Sequence, residues 1–142
     1  MVGKDLKRQL HWPPVAALAL LLSMIGLAAS HEVAAEPGSL EGSWRGGGSV
    51  AFTSGASERA QCRAQYRRAS VNAYTVTATC ATPSGRATQT ATLRRVGDNT
   101  YQGQFRNTEY DVSGTIRVTV SGNRQSVRLT GDTGSAAFEL RR

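Results

Sequence analysis

The feature that most constrains this chain is a two-residue alternation that starts after Leu40 and recurs to Arg142. In residues 58–67, Ala60, Cys62, Ala64 and Tyr66 share one parity, while Arg59, Gln61, Arg63, Gln65 and Arg67 share the other. Successive side chains of an extended strand point to opposite faces, so the pattern specifies a strand with one buried and one solvated face. It returns in 43–52, 73–82, 86–95, 100–106, 109–121, 124–130 and 135–141, with turn residues between the runs. No helical apolar stripe competes with it.

The turns make the alternation specific. Folding about Gly122-Asn123 pairs Val120 with Gln125, Val118 with Val127 and Ile116 with Leu129. Folding about Asp132-Thr133 pairs Leu129 with Ala136 and Val127 with Phe138, and folding about Val71 sets Cys62 opposite Cys80. Two further turns, at Gly97 and at Asn107-Thr108, pair Leu93 with Tyr101 and Phe105 with Tyr110. A slip of one residue would turn every apolar side chain outward, so the matched faces fix the register. Eight hairpin-linked strands in about 100 residues predict an all-β, eight-stranded antiparallel up-and-down barrel. A sandwich and an outer-membrane barrel are the alternatives. The inner register is rich in Ala, Gly and Cys, and the outer one carries most of the arginines. Both facts oppose a lipid-facing barrel.

Ahead of the alternation, Lys4, Lys7 and Arg8 precede an uncharged apolar run over 15–29, which small residues follow. That order predicts a secretory signal peptide over residues 1–30, with 35 as the alternative end, so the mature chain starts at His31 or Glu36. The run is short for a membrane span, which takes about 20 residues, so no stable span is expected after cleavage. A tether over 31–39 and the barrel domain over 40–142 follow. Periplasmic or secreted localisation is the expectation, and it argues against nucleic acid as a partner despite the net charge of +7.

Chemistry is sparse. From Pro37 on there are 14 Arg, 7 Asp or Glu, and neither Lys nor His. This leaves no His/Cys set for zinc and no His base for a triad. Glu109 and Asp111 stand two apart on one predicted strand, on its solvated face, where nothing marks either as a catalytic group. His31, exposed as an amino terminus, lacks the second imidazole that a tight copper site needs. No catalytic residue, metal or cofactor is assigned, and the chain is read as non-enzymatic. Cys62 and Cys80 face each other on the inner register of an exported chain and are expected to form a disulfide. Gly46-Gly47-Gly48 lacks the Lys and the helix of a phosphate loop, and is read as a place where the first strand bends. Trp44, Tyr66, Tyr74, Tyr101, Phe105 and Tyr110, all on the inner register, are the candidate ligand-pocket residues. Arg59, Arg63 and Arg67 form one outer row, with Arg94 further along the same face, as a candidate patch for an anionic partner.

Gly42-Ser43-Trp44, opening the first strand, resembles the G-x-W signature of calycins, the lipocalin- and avidin-like barrels. That resemblance implies that Trp44 closes one barrel end and that a late arginine, Arg141 or Arg142, packs across it. A signal peptide, an early G-x-W and two Cys in the next strands also resemble the small periplasmic metalloprotease inhibitors of Gram-negative bacteria. Their amino-terminal trunk would correspond to residues 31–41. Three functions follow as expectations. The first is a binding module for a small apolar or amphipathic ligand. The second is an interaction or protease-inhibitor module for a protein of the envelope, and the third is a structural envelope protein.

Overall fold

The computed structural model describes residues 38–142; the expected signal peptide and most of the tether lie outside the described residues. The described chain is eight strands: β1 (Gly42–Phe52), β2 (Ser57–Ser70), β3 (Ala73–Thr82), β4 (Gly85–Arg95), β5 (Thr100–Asn107), β6 (Val112–Ser121), β7 (Arg124–Gly131) and β8 (Gly134–Arg141). Each pairs antiparallel with its sequence neighbours, and β1 pairs with β8, so the sheet closes into the predicted up-and-down barrel. The buried set is the inner register of the sequence pattern, from Ala60, Cys62, Ala64 and Tyr66 in β2 to Phe138 and Leu140 in β8.

Closure depends on what the first strand lacks. In β1, Gly46 and Gly48 face inward between Trp44 and Val50, and β8 crosses them closely. A Cβ on Gly48 would stand 1.9 Å from the Ala137 carbonyl oxygen, and one on Gly46 would stand 2.0 Å from that of Glu139. Neither oxygen can yield, because both belong to the β8 backbone. The glycines therefore permit close approach of two backbones at the seam as well as the bend of β1.

Three of the five expected turns hold: Val118 faces Val127 across Gly122-Asn123, Leu129 faces Ala136 across Asp132-Thr133, and Cys62 faces Cys80 about Val71. Two registers differ. Tyr101 pairs with Arg95 rather than Leu93, because residues 96–99 form a wider loop that the Arg95 side chain holds by donating to the Gly97 and Asp98 carbonyls. Phe105 pairs with Gly114 rather than Tyr110, because the chain leaves β5 at Asn107 and returns at Val112. Both shifts are even in residue number, so inner and outer faces are conserved while the partners change. One irregularity at Arg68–Ser70 in β2 leaves Ala69 without a partner across from β3.

One barrel end is shut. Trp44 is 0% exposed, and its indole N–H donates to the Leu40 carbonyl at 2.8 Å. The Arg142 guanidinium lies over the Trp44 ring, 4.5 Å from its centroid, as the calycin resemblance implies for a late arginine. Arg142 also donates to the carbonyls of Ser39, Glu41 and Gly122, which joins the C-terminal residue to the strap over 38–41 and to the β6–β7 turn. Tyr101 donates to the Gly38 carbonyl, Tyr74 shares a hydrogen bond with Ser39, and the two tyrosine rings meet edge to face at 5.4 Å. Arg68 and Arg95 cover Tyr74 and Tyr101 as Arg142 covers Trp44. Trp44, Tyr74 and Tyr101 thus each have an apolar body inside and a cation over the ring face. The two described residues of the expected tether, Gly38 and Ser39, are part of this cap.

The Cys62–Cys80 disulfide ties β2 to β3 with its Cα atoms 4.1 Å apart, the close spacing of a non-hydrogen-bonded pair. Two substitutions test these anchors by urea denaturation. Trp44→Ala is expected to lower the unfolding free energy by about 3–5 kcal/mol, and Cys80→Ala by about 2–4 kcal/mol. A loss below about 1 kcal/mol in either variant, the level of a surface substitution, would contradict its assigned role.

Candidate functional site

The inner face changes character along the barrel axis. Toward the shut end it carries Trp44, Tyr66, Tyr74 and Tyr101, whose rings fill the interior. Toward the other end it carries Val50, Ala87, Val112 and Ala136, which are too short to meet across the barrel. The result is a cavity of about 640 Å³ that opens to solvent at this end. Its floor is Cys80, Phe105, Leu129 and Phe138. Beneath the floor the same residues roof a second void of about 30 Å³, room for about one water.

The mouth is built from the turns at 53–56, 83–84, 108–111 and 132–133. Here β4 outruns β5: their pairing begins at Gln89 and Asn107, which leaves Gly85–Thr88 without a β5 partner. The Glu109 carboxylate takes that place by accepting from the Thr88 N–H at 2.6 Å. The Asn107 side-chain oxygen accepts from the Tyr110 N–H at 3.1 Å, and Asp111 adopts a positive φ of 51° before the chain enters β6. Asn and Asp tolerate these turn conformations best among side-chain-bearing residues. Glu109 and Asp111 therefore belong to a loop rather than to the face of a strand. Tyr110 rides on that loop, 60% exposed, with its hydroxyl over Gly85 on the opposite turn.

Among the described residues, one charged side chain lines the cavity. Glu58 continues the inner register of β2 beyond Ala60 and stands opposite Val50 of β1. One carboxylate oxygen accepts a hydrogen bond from the Ser84 hydroxyl; the other, Oε2, is buried with no hydrogen-bond partner among the described residues. The Ser84 hydroxyl, and then the nearby Thr82 side chain, hold the carboxyl below its ordinary range against the opposing effect of burial, so it is ionised at neutral pH. At the filled end, burial pushes the Tyr66 phenol well above its ordinary range, and Tyr66 stays neutral while donating to the Gln125 side-chain oxygen at 2.7 Å.

The structure divides the six aromatic pocket candidates. Phe105 and Tyr110 line the cavity. Trp44, Tyr74 and Tyr101 belong to the cap at the other end, and Tyr66 reaches only the small inner void. Tyr110 is a rim residue rather than a core one, because the 108–111 loop lifts it out of the strand. Phe52, also on the inner register, is 39% exposed at the same rim. Glu58 and the small residue Ala136 were not singled out by sequence reasoning, although their parity with Ala60 and Phe138 carried the signal.

Outside, Arg59, Arg63 and Arg67 lie along β2 as expected, but only Arg63 meets other arginines. It stands directly opposite Arg45 of β1, Arg45 opposite Arg141 of β8, and Arg141 opposite Arg124 of β7. Arg59 faces Ser49, and Arg67 faces Thr75. Four exposed guanidinium groups thus cross four adjacent strands spaced by about 4.8 Å. None of the four has an ion-pair partner among the described residues. Like charges directly opposite on neighbouring strands destabilise a sheet.

The chain matches no protein-family model and has no significantly similar curated relative. Among solved structures it is similar to a redesigned β-barrel, mFAP1, bound to DFHBI, with a TM-score of 0.62 and 16% identity over 72% of this chain and 94% of that one. It is similar to a de novo designed fluorescence-activating β-barrel, with a TM-score of 0.57 and 12% identity over 72% and 92%. It is also similar to Rv2717c from M. tuberculosis, with a TM-score of 0.55 and 13% identity over 72% and 92%. These neighbours are small β-barrels, and the likeness establishes the fold that this chain shares with them.

Proposed function

We propose that the protein is an exported, non-enzymatic carrier or sensor module that holds one small apolar or amphipathic ligand in the open half of a calycin-like barrel. The observation that carries this reading is the cavity of about 640 Å³, walled by short aliphatic side chains and open at one end. Its size falls within the range of about 300–1,000 Å³ typical of small-molecule sites. The cap at the other end makes a rigid base for it, with Trp44 under Arg142 in the arrangement that the calycin resemblance implies. The mFAP1 barrel, similar in fold, is bound to the small molecule DFHBI. The leader-like start and the Cys62–Cys80 bridge support an oxidising, exported setting.

The test is a neutral solvatochromic dye titrated into the protein, beside a variant whose cavity is filled. Ala136→Trp places a large ring in the cavity wall, and it should weaken dye binding at least about tenfold, which is ~1.4 kcal/mol. Its unfolding midpoint should stay close to that of the parent. Absence of dye binding, or equal binding by both proteins, would contradict the cavity reading.

A second reading rests on the arginine row Arg63–Arg45–Arg141–Arg124. A sheet that carries unneutralised like charges in direct opposition is better matched to an acidic protein surface than to water alone. Arg45→Glu is expected to stabilise the free protein at low salt by about 0.2–1 kcal/mol, by pairing with Arg63 and Arg141. The same change should weaken binding to polyglutamate more than Arg106→Glu, which alters the charge equally outside the row. Equal weakening by both would reduce the row to nonspecific charge.

A further inference from the structure

We propose that the cavity, taken as a ligand site as above, selects a ligand with an apolar body and a positively charged amine head group that pairs with Glu58. From Pro37 on the chain has 14 Arg against 7 acids, yet among the described residues no arginine lines the cavity and Glu58 is its one charged lining residue. The barrel has sorted its charges by strand parity: the cations stand outside or over the cap, and a lone carboxylate stands inside at the mouth. A fatty-acid-like ligand would bring a carboxylate to a site that offers it another carboxylate and no guanidinium. That arrangement costs desolvation without return.

The state of Glu58 favours a cation specifically. Ser84 satisfies one oxygen, and Oε2 stays buried and unpaired among the described residues. An ammonium group is donor-only and charged, so it offers the Glu58 carboxylate both donors and the opposite charge, in a charge-assisted hydrogen bond. Phe52 and Tyr110, the exposed aromatics of the rim, offer ring faces to the same cation. Beside the polar side chains of Gln89 and Asn107, the walls and floor carry Val50, Ala87, Ala136, Phe105 and Phe138, which suit an alkyl or aryl body.

The experiment compares decylamine, decanol and decanoate by displacement of the same neutral dye from the full protein. The overall charge of +7 attracts anions, so an amine preference opposes the global field and has to come from the site. Decylamine should bind about tenfold or more tighter than decanoate, with decanol between them. Glu58→Gln should erase the amine preference, and a circular dichroism spectrum and unfolding midpoint like the parent's show that the variant is folded. Glu139→Gln makes the same charge change on the outer face of β8 and should keep the preference. Decanoate binding as tightly as decylamine, or an amine preference that survives Glu58→Gln, would overturn the head-group assignment while leaving the cavity reading in place. Failure of all three compounds to bind would overturn both.

Discussion

The barrel exists because β1 can lie against β8, and that contact is limited by sterics at three positions, Gly46 and Gly48 of β1 and Gly134 of β8, where a Cβ would stand 2.2 Å from the Ala51 carbonyl oxygen. Gly46 and Gly48 face inward where the β8 carbonyls of Glu139 and Ala137 approach to within 2.0 and 1.9 Å of where a Cβ would stand. With the seam shut, no described strand is left as a free edge along its length, and the stretches that lack a strand neighbour on one side are overhangs at strand ends, such as Gly85–Thr88 of β4. Every other strand then has one face toward a common interior, and parity alone decides what goes inside. The cap, the cavity and the outer arginine row are consequences of that sorting.

Once the interior is defined, its filling depends on side-chain volume along the axis. Large rings concentrate near the strap over 38–41, where their polar atoms reach the carbonyls of Gly38 and Leu40 or the hydroxyl of Ser39. Three arginines complete that end by covering the rings. Small residues concentrate at the other end, where nothing replaces the missing volume. A rigid base beneath an open, weakly filled half is an arrangement that can admit a ligand without unfolding the barrel. The boundary between the halves is the floor of Cys80, Phe105, Leu129 and Phe138, and the Cys62–Cys80 bridge braces it from one side.

Most of the fold was legible in the sequence because parity survives even-numbered errors. The β5–β6 and β4–β5 registers differed from expectation, yet Ile116, Val118 and Leu93 remained on the inner face. The wider turns were hidden because they depend on side-chain bonds from Arg95 and Asn107 and on the backbone of Asp111, not on a Gly-containing dipeptide. The site was less legible. Aromatic residues marked the inner face at both ends of the barrel, so Trp44, Tyr74 and Tyr101 of the cap read in the sequence just as Phe105 and Tyr110 of the cavity do. Glu58 was missed for a related reason: it sits at the margin of the alternating run, where a charged residue reads as the start of a turn. The arginine row was visible only along β2, since its other members, Arg45, Arg124 and Arg141, meet Arg63 through closure of the barrel.

The proposed ligand site is the open half of the barrel, and not its capped end or its outer face. Amide and methyl chemical shifts followed by NMR while decanol is added to the protein address this residue by residue. Saturable shifts are expected at Val50, Val112, Leu129 and Ala136, with the Trp44 indole N–H and the Arg45 and Arg141 amides unmoved. Shifts centred on Trp44 or on the arginine row, with Val50 and Ala136 silent, would contradict that placement.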